Sequence, residues 1–159
     1  MTEQLAMFQC TTVTKSFHFV GTSITANFAT DFPTASITVQ QAFEEQMSSI
    51  PNAISTSVLF SPYMCNDIVA TYFACVEVND LSQVPKDMIG FTLPKMTYAS
   101  IQCSPATIGE AYGRLYQWIE SQNLKVNHLQ AAMPIEIFYL KENPADETVE
   151  ILIPIENVS

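Results

Sequence analysis

The sequence AAMPIEIFYL, residues 131–140, places one carboxylate inside an otherwise apolar run. Its β-branched and aromatic residues are typical of a strand, for which we predict the bounds 133–140. Alternation along this strand puts Glu136 on one face with Phe138, and Ile135 and Ile137 on the other. A buried carboxylate without a partner is costly, so Glu136 either faces water or is kept for a cation or a hydrogen-bond donor.

Composition alone favours the exposed alternative for Glu136, as on the solvent face of a half-covered sheet. However, both faces of this strand are apolar, which indicates that both are covered. A carboxylate on a covered face suits a buried binding site, in which burial raises its pKa and its affinity for a cation.

Periodicity divides the rest of the chain into strands and helices. We predict five further strands, over 11–26, 55–61, 67–78, 94–104 and 148–155. A helical period predicts two helices, over 36–50 and from 107 to about 122. Thr107 and Glu110 have the spacing of a capping box at the start of the second helix. The segment 61–67, which contains Pro62, is interpreted as a turn.

The predicted order is strand–helix–strand–strand, and it occurs twice. This order indicates an α+β fold in which a duplicated β-α-β-β unit forms a mostly antiparallel sheet with two helices. There is no linker or break in composition. We therefore predict one domain over 1–159, with its halves at about 11–78 and 94–155.

The charge balance excludes some partners. The chain has 16 acidic and six basic residues, giving a formal net charge of −10. Nucleic-acid backbones and anionic membranes bind clustered Lys and Arg, so we expect neither partner. The first residues do not resemble a signal peptide, and no apolar run approaches the ~20 residues of a membrane span. We expect a cytoplasmic protein.

Motifs for metals, phosphate cofactors and nucleophilic catalysis are missing from the sequence. The four cysteines have no Cys-x-x-Cys spacing, and only two histidines accompany them. We therefore predict neither a metal site nor a cofactor.

For two other acids in predicted strands, the sequence is less clear about whether the side chain is solvated or part of a site. Glu77 shares a face with Phe73 and Cys75 and is left open, whereas Glu150 is interpreted as a solvated position.

Seven segments, taken in order, resemble the GyrI-like small-molecule-binding domain, also called the bacterial transcription-activator effector-binding domain. They are FVGTS (19–23), SVLF (57–60), YFACVEV (72–78), 85–99, YQWIES (116–121), PIEIF (134–138) and EILIPI (150–155). The resemblance implies a curved sheet with a central ligand groove between the two halves. It also implies that Glu136 contacts cationic, aromatic ligands. No DNA-binding motif is recognised ahead of these segments, so we expect a stand-alone form.

The sequence departs from the pattern of this family at several positions. Phe138 stands where the family has a tyrosine, Cys75 where it has a glycine, and Gln40 where its first helix has a tryptophan. The set of ligands is therefore expected to differ.

Three functions follow as hypotheses. The first is binding of hydrophobic, cationic or planar aromatic small molecules, with Glu136 supplying the charge and aromatic walls formed by Trp118, Tyr98, Tyr72, Phe60 and Phe138. The second is a hydrolase that opens reactive electrophiles of the cyclopropanoid type, using Glu136 and Glu77. The third is a protein-interaction module of the gyrase-inhibitor type, for which the acidic surface suits a basic partner. We expect a monomer or a weak dimer.

Overall fold

The computed structural model describes residues 7–129 and 132–156. Within these residues six antiparallel strands close into a barrel in the order β1-β3-β2-β5-β6-β4. The strands are β1 (Cys10–Asn27), β2 (Val58–Cys65), β3 (Val69–Glu77), β4 (Ile89–Cys103), β5 (Ile135–Tyr139) and β6 (Thr148–Pro154). The helices are α1 (Phe28–Asp31), α2 (Thr34–Glu44) and α3 (Ile108–Ser121). The predicted α+β class is confirmed, and closure of the sheet into a barrel is an addition to it.

The two halves of the chain have the same topology. The strands β1, β3 and β2 are neighbours in the first half, and β4, β6 and β5 are neighbours in the same relation in the second. The halves join through β1 with β4 and through β2 with β5. This arrangement confirms the predicted duplication of the β-α-β-β unit.

The helices cover only part of the outer surface of the barrel. Helix α2 packs on β1 and β3, whereas α3 packs on β4 and β6. The strands that remain between the two helices are β2 and β5. Their outer faces therefore form the floor of a groove whose walls are the helices.

The apolar side chains form three clusters that follow the pleat. The cluster inside the barrel receives side chains from all six strands, among them Phe19, Phe60 and Ile137. A second cluster lies under α2 and includes Phe43, and a third lies under α3 and includes Leu115. Where both faces of a strand are covered, as over most of β3 and β6, both faces are largely apolar, whereas β1 alternates between buried and exposed residues over much of its length.

The predicted helix over 36–50 is shorter in the structure. Helix α2 ends at Glu44, and a 3-10 turn (Met47–Ser49) continues its apolar face, so Met47 and Ile50 still reach the cluster under α2. Pro51 disfavours helical geometry at the residue before it, which helps to end the segment there. The short helix α1 was not predicted.

Two further sequence predictions are corrected. The segment 61–67 was predicted to be a turn, but its residues as far as Cys65 belong to β2. The strand continues through Pro62, and the Tyr63 N–H donates a hydrogen bond to the Pro134 carbonyl at 3.0 Å. Pro62 removes one donor from the ladder but leaves the strand intact. The capping box also lies elsewhere: Ser104 and Thr107 cap a 3-10 turn (Pro105–Thr107), while Glu110 pairs with Arg114.

None of the helices in the described residues is long and apolar enough to span a membrane.

Candidate functional site

A cavity of about 830 Å³ lies between helices α1, α2 and α3, over the outer faces of β2, β3 and β5. Its wall is mostly apolar and aromatic. Phe28 and Ile37 keep 46% and 48% of their surface exposed, as expected for side chains at a mouth that opens to solvent. The lining residues are Phe28, Ala29, Phe32, Pro33, Ser36, Ile37, Gln40, Tyr63, Cys65, Ala70, Tyr72, Pro105, Ile108, Tyr112, Glu136 and Phe138.

The pleat of β5 directs Glu136 into this cavity. Ile135 and Ile137 point into the barrel and join its inner cluster, so Glu136 and Phe138 point outward to the groove. Two phenols hold the carboxylate. The Tyr72 hydroxyl donates to Oε1 and the Tyr112 hydroxyl donates to Oε2, each at 2.6 Å. The three groups come from β3, α3 and β5, so the carboxylate is fixed by tertiary structure.

A second set of hydrogen bonds surrounds these phenols. The Gln40 amide Nε2 donates to the Tyr72 hydroxyl at 3.1 Å and to the buried Ser61 hydroxyl at 3.2 Å. The hydroxyls of Tyr63 and Tyr112 lie 2.8 Å apart. The network therefore runs from Gln40 on α2, through Glu136, to Tyr63 on β2.

Aromatic rings line the wall beside the carboxylate. The rings of Tyr63 and Tyr72 stack with their centroids 6.1 Å apart and 20° between their planes. Phe32 contacts Tyr72 from the α1 side, with its ring centroid at 6.3 Å. Such a wall offers apolar area and negative ring faces to a ligand.

Burial dominates the electrostatics of the site. It raises the pKa of the Glu136 carboxyl above its ordinary value, and the hydrogen bonds from Tyr112 and Tyr72 act in the opposite direction. Burial, followed by the charge of Glu136, raises the pKa of Tyr72 and Tyr112 well above the usual range. Both phenols therefore stay protonated and remain donors. Among the described lining residues there is no Lys, Arg or His to neutralise the carboxylate.

The structure brings some of the predicted wall residues together and separates others. Tyr72, Phe138 and Glu136 line the cavity. Phe60 and Tyr98 do not, because the pleat turns them into the inner cluster of the barrel. Trp118 does not either, because it lies against the cluster between α3 and the sheet. The expected five-residue aromatic wall is thus reduced to two of its members.

Glu77 does not meet Glu136. It lies on the face of β3 that carries Phe73 and Cys75 into the barrel, and it forms an ion pair with Lys15 at 3.1 Å. Glu136 points to the opposite side of the sheet. The pair of carboxylates expected for a hydrolase is therefore not assembled.

The interpretation of Glu150 as a solvated position is wrong. Ser100 and Tyr139 donate to its two carboxylate oxygens at 2.6 and 2.8 Å. This acid is held by two hydroxyls, as Glu136 is, but outside the cavity. Across residues 7–129 and 132–156, no three His, Cys, Asp or Glu side chains gather as a metal site would require.

Several residues of the site carry little or no signal in the sequence. Tyr112 carried a weak signal, since it flanks the apolar stripe of α3 without belonging to it. Tyr63 was hidden by Pro62, which indicated a turn. Helix α1 and Phe32, which directly follows it, showed no period long enough to detect, because that helix has four residues.

Solved structures with the same fold include one with a bound small molecule. SAV2435, in its structure bound to tetraphenylphosphonium, has a TM-score of 0.69 at 13% identity, over 94% of this chain and 93% of that one. The C-terminal domain of EcmrR has a TM-score of 0.68 at 18% identity, over 94% and 98%. An integron cassette protein of Vibrio cholerae has a TM-score of 0.59 at 13% identity, over 92% and 95%. At these identities the similarity establishes the fold.

Among proteins of curated function, no sequence matches the chain. The family model of the integron-associated effector-binding protein, Cass2, matches residues 13–155. This match confirms the resemblance to effector-binding domains. Because it covers nearly the whole chain, the protein belongs to the family of integron-associated effector-binding proteins, which are small-molecule-binding domains.

Proposed function

We propose that this protein binds hydrophobic organic cations, including planar aromatic ones, in the cavity between α2 and α3, with Glu136 as the counter-charge. One observation carries the proposal: a carboxylate fixed by two hydroxyls faces a mostly apolar cavity in which no described lining residue is cationic. A cationic ligand would supply the charge that the protein itself does not.

The size and chemistry of the cavity support this proposal. A volume of about 830 Å³ falls within the range of sites for drug-sized ligands. Tyr63, Tyr72 and Phe32 provide ring faces beside the carboxylate, so a cation gains both cation–π attraction and apolar contact. The mouth at Phe28 and Ile37 gives a path for entry.

A solved structure with the same fold and the family match both support the same class of ligand. SAV2435 is bound to tetraphenylphosphonium, which is a permanently charged cation with four phenyl rings. The family description as an effector-binding protein is consistent with a ligand that acts as a signal. We therefore use tetraphenylphosphonium as the first probe.

Binding is favoured over hydrolysis by the arrangement of acids. Glu136 is the only carboxylate among the described lining residues, and Glu77 lies on the other side of the sheet. General acid–base chemistry on a bound electrophile needs a second positioned group or an activated water. The tyrosines beside Glu136 are held as donors to it, which suits recognition of charge.

The test is calorimetric titration of tetraphenylphosphonium into the wild type and Glu136→Gln. Glu136 is half-buried, and neutralising a charge partner in such a site costs roughly 1–3 kcal/mol, so we expect affinity to fall by about 10–100-fold. Glu120→Gln is the matched control. It removes the same charge from an exposed position on α3 and should leave the affinity unchanged. No binding by the wild type, or equal affinities in Glu136→Gln and the wild type, would refute the proposal.

A further inference from the structure

The hydrogen-bond directions around Glu136 are determined by counting hydrogens. Each phenol has a single hydroxyl hydrogen. Tyr72 and Tyr112 both give theirs to Glu136, at 2.6 Å. The Tyr72 oxygen must therefore accept from Gln40. The 2.8 Å contact between Tyr63 and Tyr112 must likewise be a donation from Tyr63.

The same count fixes the orientation of the Gln40 side-chain amide. Only the NH₂ group can donate to the Tyr72 hydroxyl, whose own hydrogen is already used. The second N–H donates to Ser61 at 3.2 Å. Both hydrogens are thus satisfied inside the protein, whereas the carbonyl oxygen Oε1 has no hydrogen bond to the described residues. Gln40 lines this cavity and also a smaller one that Gln41 and Glu44 line, and we take Oε1 to be open to the larger cavity.

The other polar side chains of the wall follow the same pattern. The Ser36 hydroxyl donates to the Pro33 carbonyl at 2.7 Å. Among the described lining side chains, every hydroxyl and amide hydrogen is therefore committed within the protein, and only the weakly donating Cys65 thiol is not. The groups left for a ligand are acceptors: Oε1 of Gln40, the Tyr63 oxygen and the lone pairs of Glu136.

From this we infer that Gln40 is a specificity-determining residue, and that the site prefers cations carrying N–H donors over fully substituted cations of the same shape. The preferred classes are protonated amines, amidinium groups and amino-substituted heteroaromatic cations. The inference rests on the proposed function, because it assumes that a cation occupies this cavity. An N–H group would satisfy Gln40 Oε1, whereas an N-methyl group would cover that oxygen without bonding to it.

Two acridine dyes make a matched pair for the test. The 3,6-diaminoacridinium and 3,6-bis(dimethylamino)acridinium ions share one planar cationic core and differ only in N–H against N–CH₃ at the exocyclic nitrogens. Calorimetry gives the dissociation constant of each dye for the wild type and for Gln40→Met. The readout is the ratio of the two constants, which cancels general changes in packing or in the charge of the site.

We expect Gln40→Met to weaken the diamino dye about tenfold more than the dimethylamino dye, as for the loss of one net hydrogen bond. Gln40→Glu keeps an acceptor oxygen, so the preference should persist in it. Ile37→Ala is the control. It trims an apolar lining residue and should weaken both dyes in parallel. Circular dichroism checks that each variant is folded.

Parallel losses for both dyes in Gln40→Met would overturn the inference. So would loss of the preference in Gln40→Glu as well as in Gln40→Met, because the amide would then act only through its donations to Tyr72 and Ser61. If tetraphenylphosphonium binds through Glu136 but the dye ratio is the same in wild type and Gln40→Met, the inference fails alone. If neither dye nor tetraphenylphosphonium binds the wild type, the proposed function fails with it.

Discussion

Tyr72 and Glu136 are joined by a 2.6 Å hydrogen bond although their strands are not neighbours. Strand β2 lies between them, where Ser61 pairs with Glu136 and Tyr63 pairs with Tyr72. The small side chain of Ser61 leaves room for the Tyr72 phenol to extend over β2 to the carboxylate. The position of the charge thus depends on the register of three strands, so the site is preorganised by the barrel.

The affinity for a permanent cation should fall as the pH is lowered. Burial raises the pKa of Glu136, and only the ionised carboxylate attracts a cation. Tetraphenylphosphonium does not titrate, so the change reports the protein. We expect its affinity to decline at a pH above the range in which an ordinary glutamate loses its charge. Calorimetry from mildly acidic to neutral pH measures this. In Glu136→Gln the affinity should be low at every pH, and a flat wild-type curve would contradict the prediction.

Removing a donor to Glu136 should move this pH dependence. In Tyr112→Phe or Tyr72→Phe, the carboxylate loses one charge-assisted hydrogen bond, which is worth roughly 1.5–3 kcal/mol. Because that bond favours the ionised form, its loss raises the pKa of Glu136 further. The curve of affinity against pH should therefore shift to higher pH.

Tyr63→Phe is the matched control for these two variants. Its hydroxyl reaches Tyr112 but has no hydrogen bond to the carboxylate. We expect a smaller shift than in Tyr112→Phe. Equal shifts in the two variants would mean that the carboxylate is stabilised by the network as a whole and not by its direct donors.

The charge of Glu136 should also lower the stability of the unliganded fold. The folded-state pKa is raised, so the stability contributed by the protonated form is present at low pH and is lost as the pH rises through that pKa. The neutral amide introduced by Glu136→Gln does not titrate, so the variant has no such loss. The difference in free energy of unfolding, variant minus wild type, should therefore grow as the pH rises from acidic to neutral. Urea denaturation at several pH values measures it, and a difference independent of pH would disprove the prediction.

Local patterns in the sequence predicted the elements of the fold better than the site. The alternation around Glu136 was sufficient to place that residue and Phe138 on the same face. It was not sufficient for Phe60 and Tyr98, because both faces of their strands are apolar and nothing local distinguishes the barrel interior from the groove. Trp118 is aromatic and lies near the helix stripe, yet its side chain packs against the cluster under α3 and does not line the cavity.

The remaining parts of the site depend on distant pairing. Tyr63 faces the cavity because β2 continues past Pro62 and pairs with β3 up to Cys65. Gln40 and Tyr112 face each other across the groove because the order of the strands leaves β2 and β5 between the helices. Such relations depend on closure of the barrel, which no short stretch of sequence specifies.

A methyl group at Gly21 should destabilise the barrel, because this glycine lies in β1 directly opposite Cys75 of β3. A Cβ atom at this position would meet the Ala74 carbonyl oxygen and would lie 2.7 Å from the Cys75 Cα. These are backbone atoms of a paired strand, so they cannot rotate away, and accommodation requires β1 and β3 to separate locally. Overpacking of this kind costs roughly 1–3 kcal/mol. We expect Gly21→Ala to lower the free energy of unfolding by at least that amount in urea denaturation.

Gly113→Ala is the control for this substitution. Gly113 lies within α3, and a Cβ there would meet nothing within 4 Å. Alanine restricts the unfolded chain and favours the helix, so this variant should gain about 0.5–1 kcal/mol. The same chemical change is therefore expected to have opposite signs at the two glycines. A neutral Gly21→Ala would show that β1 and β3 can move apart at little cost, and that their close approach is not required for closure of the barrel.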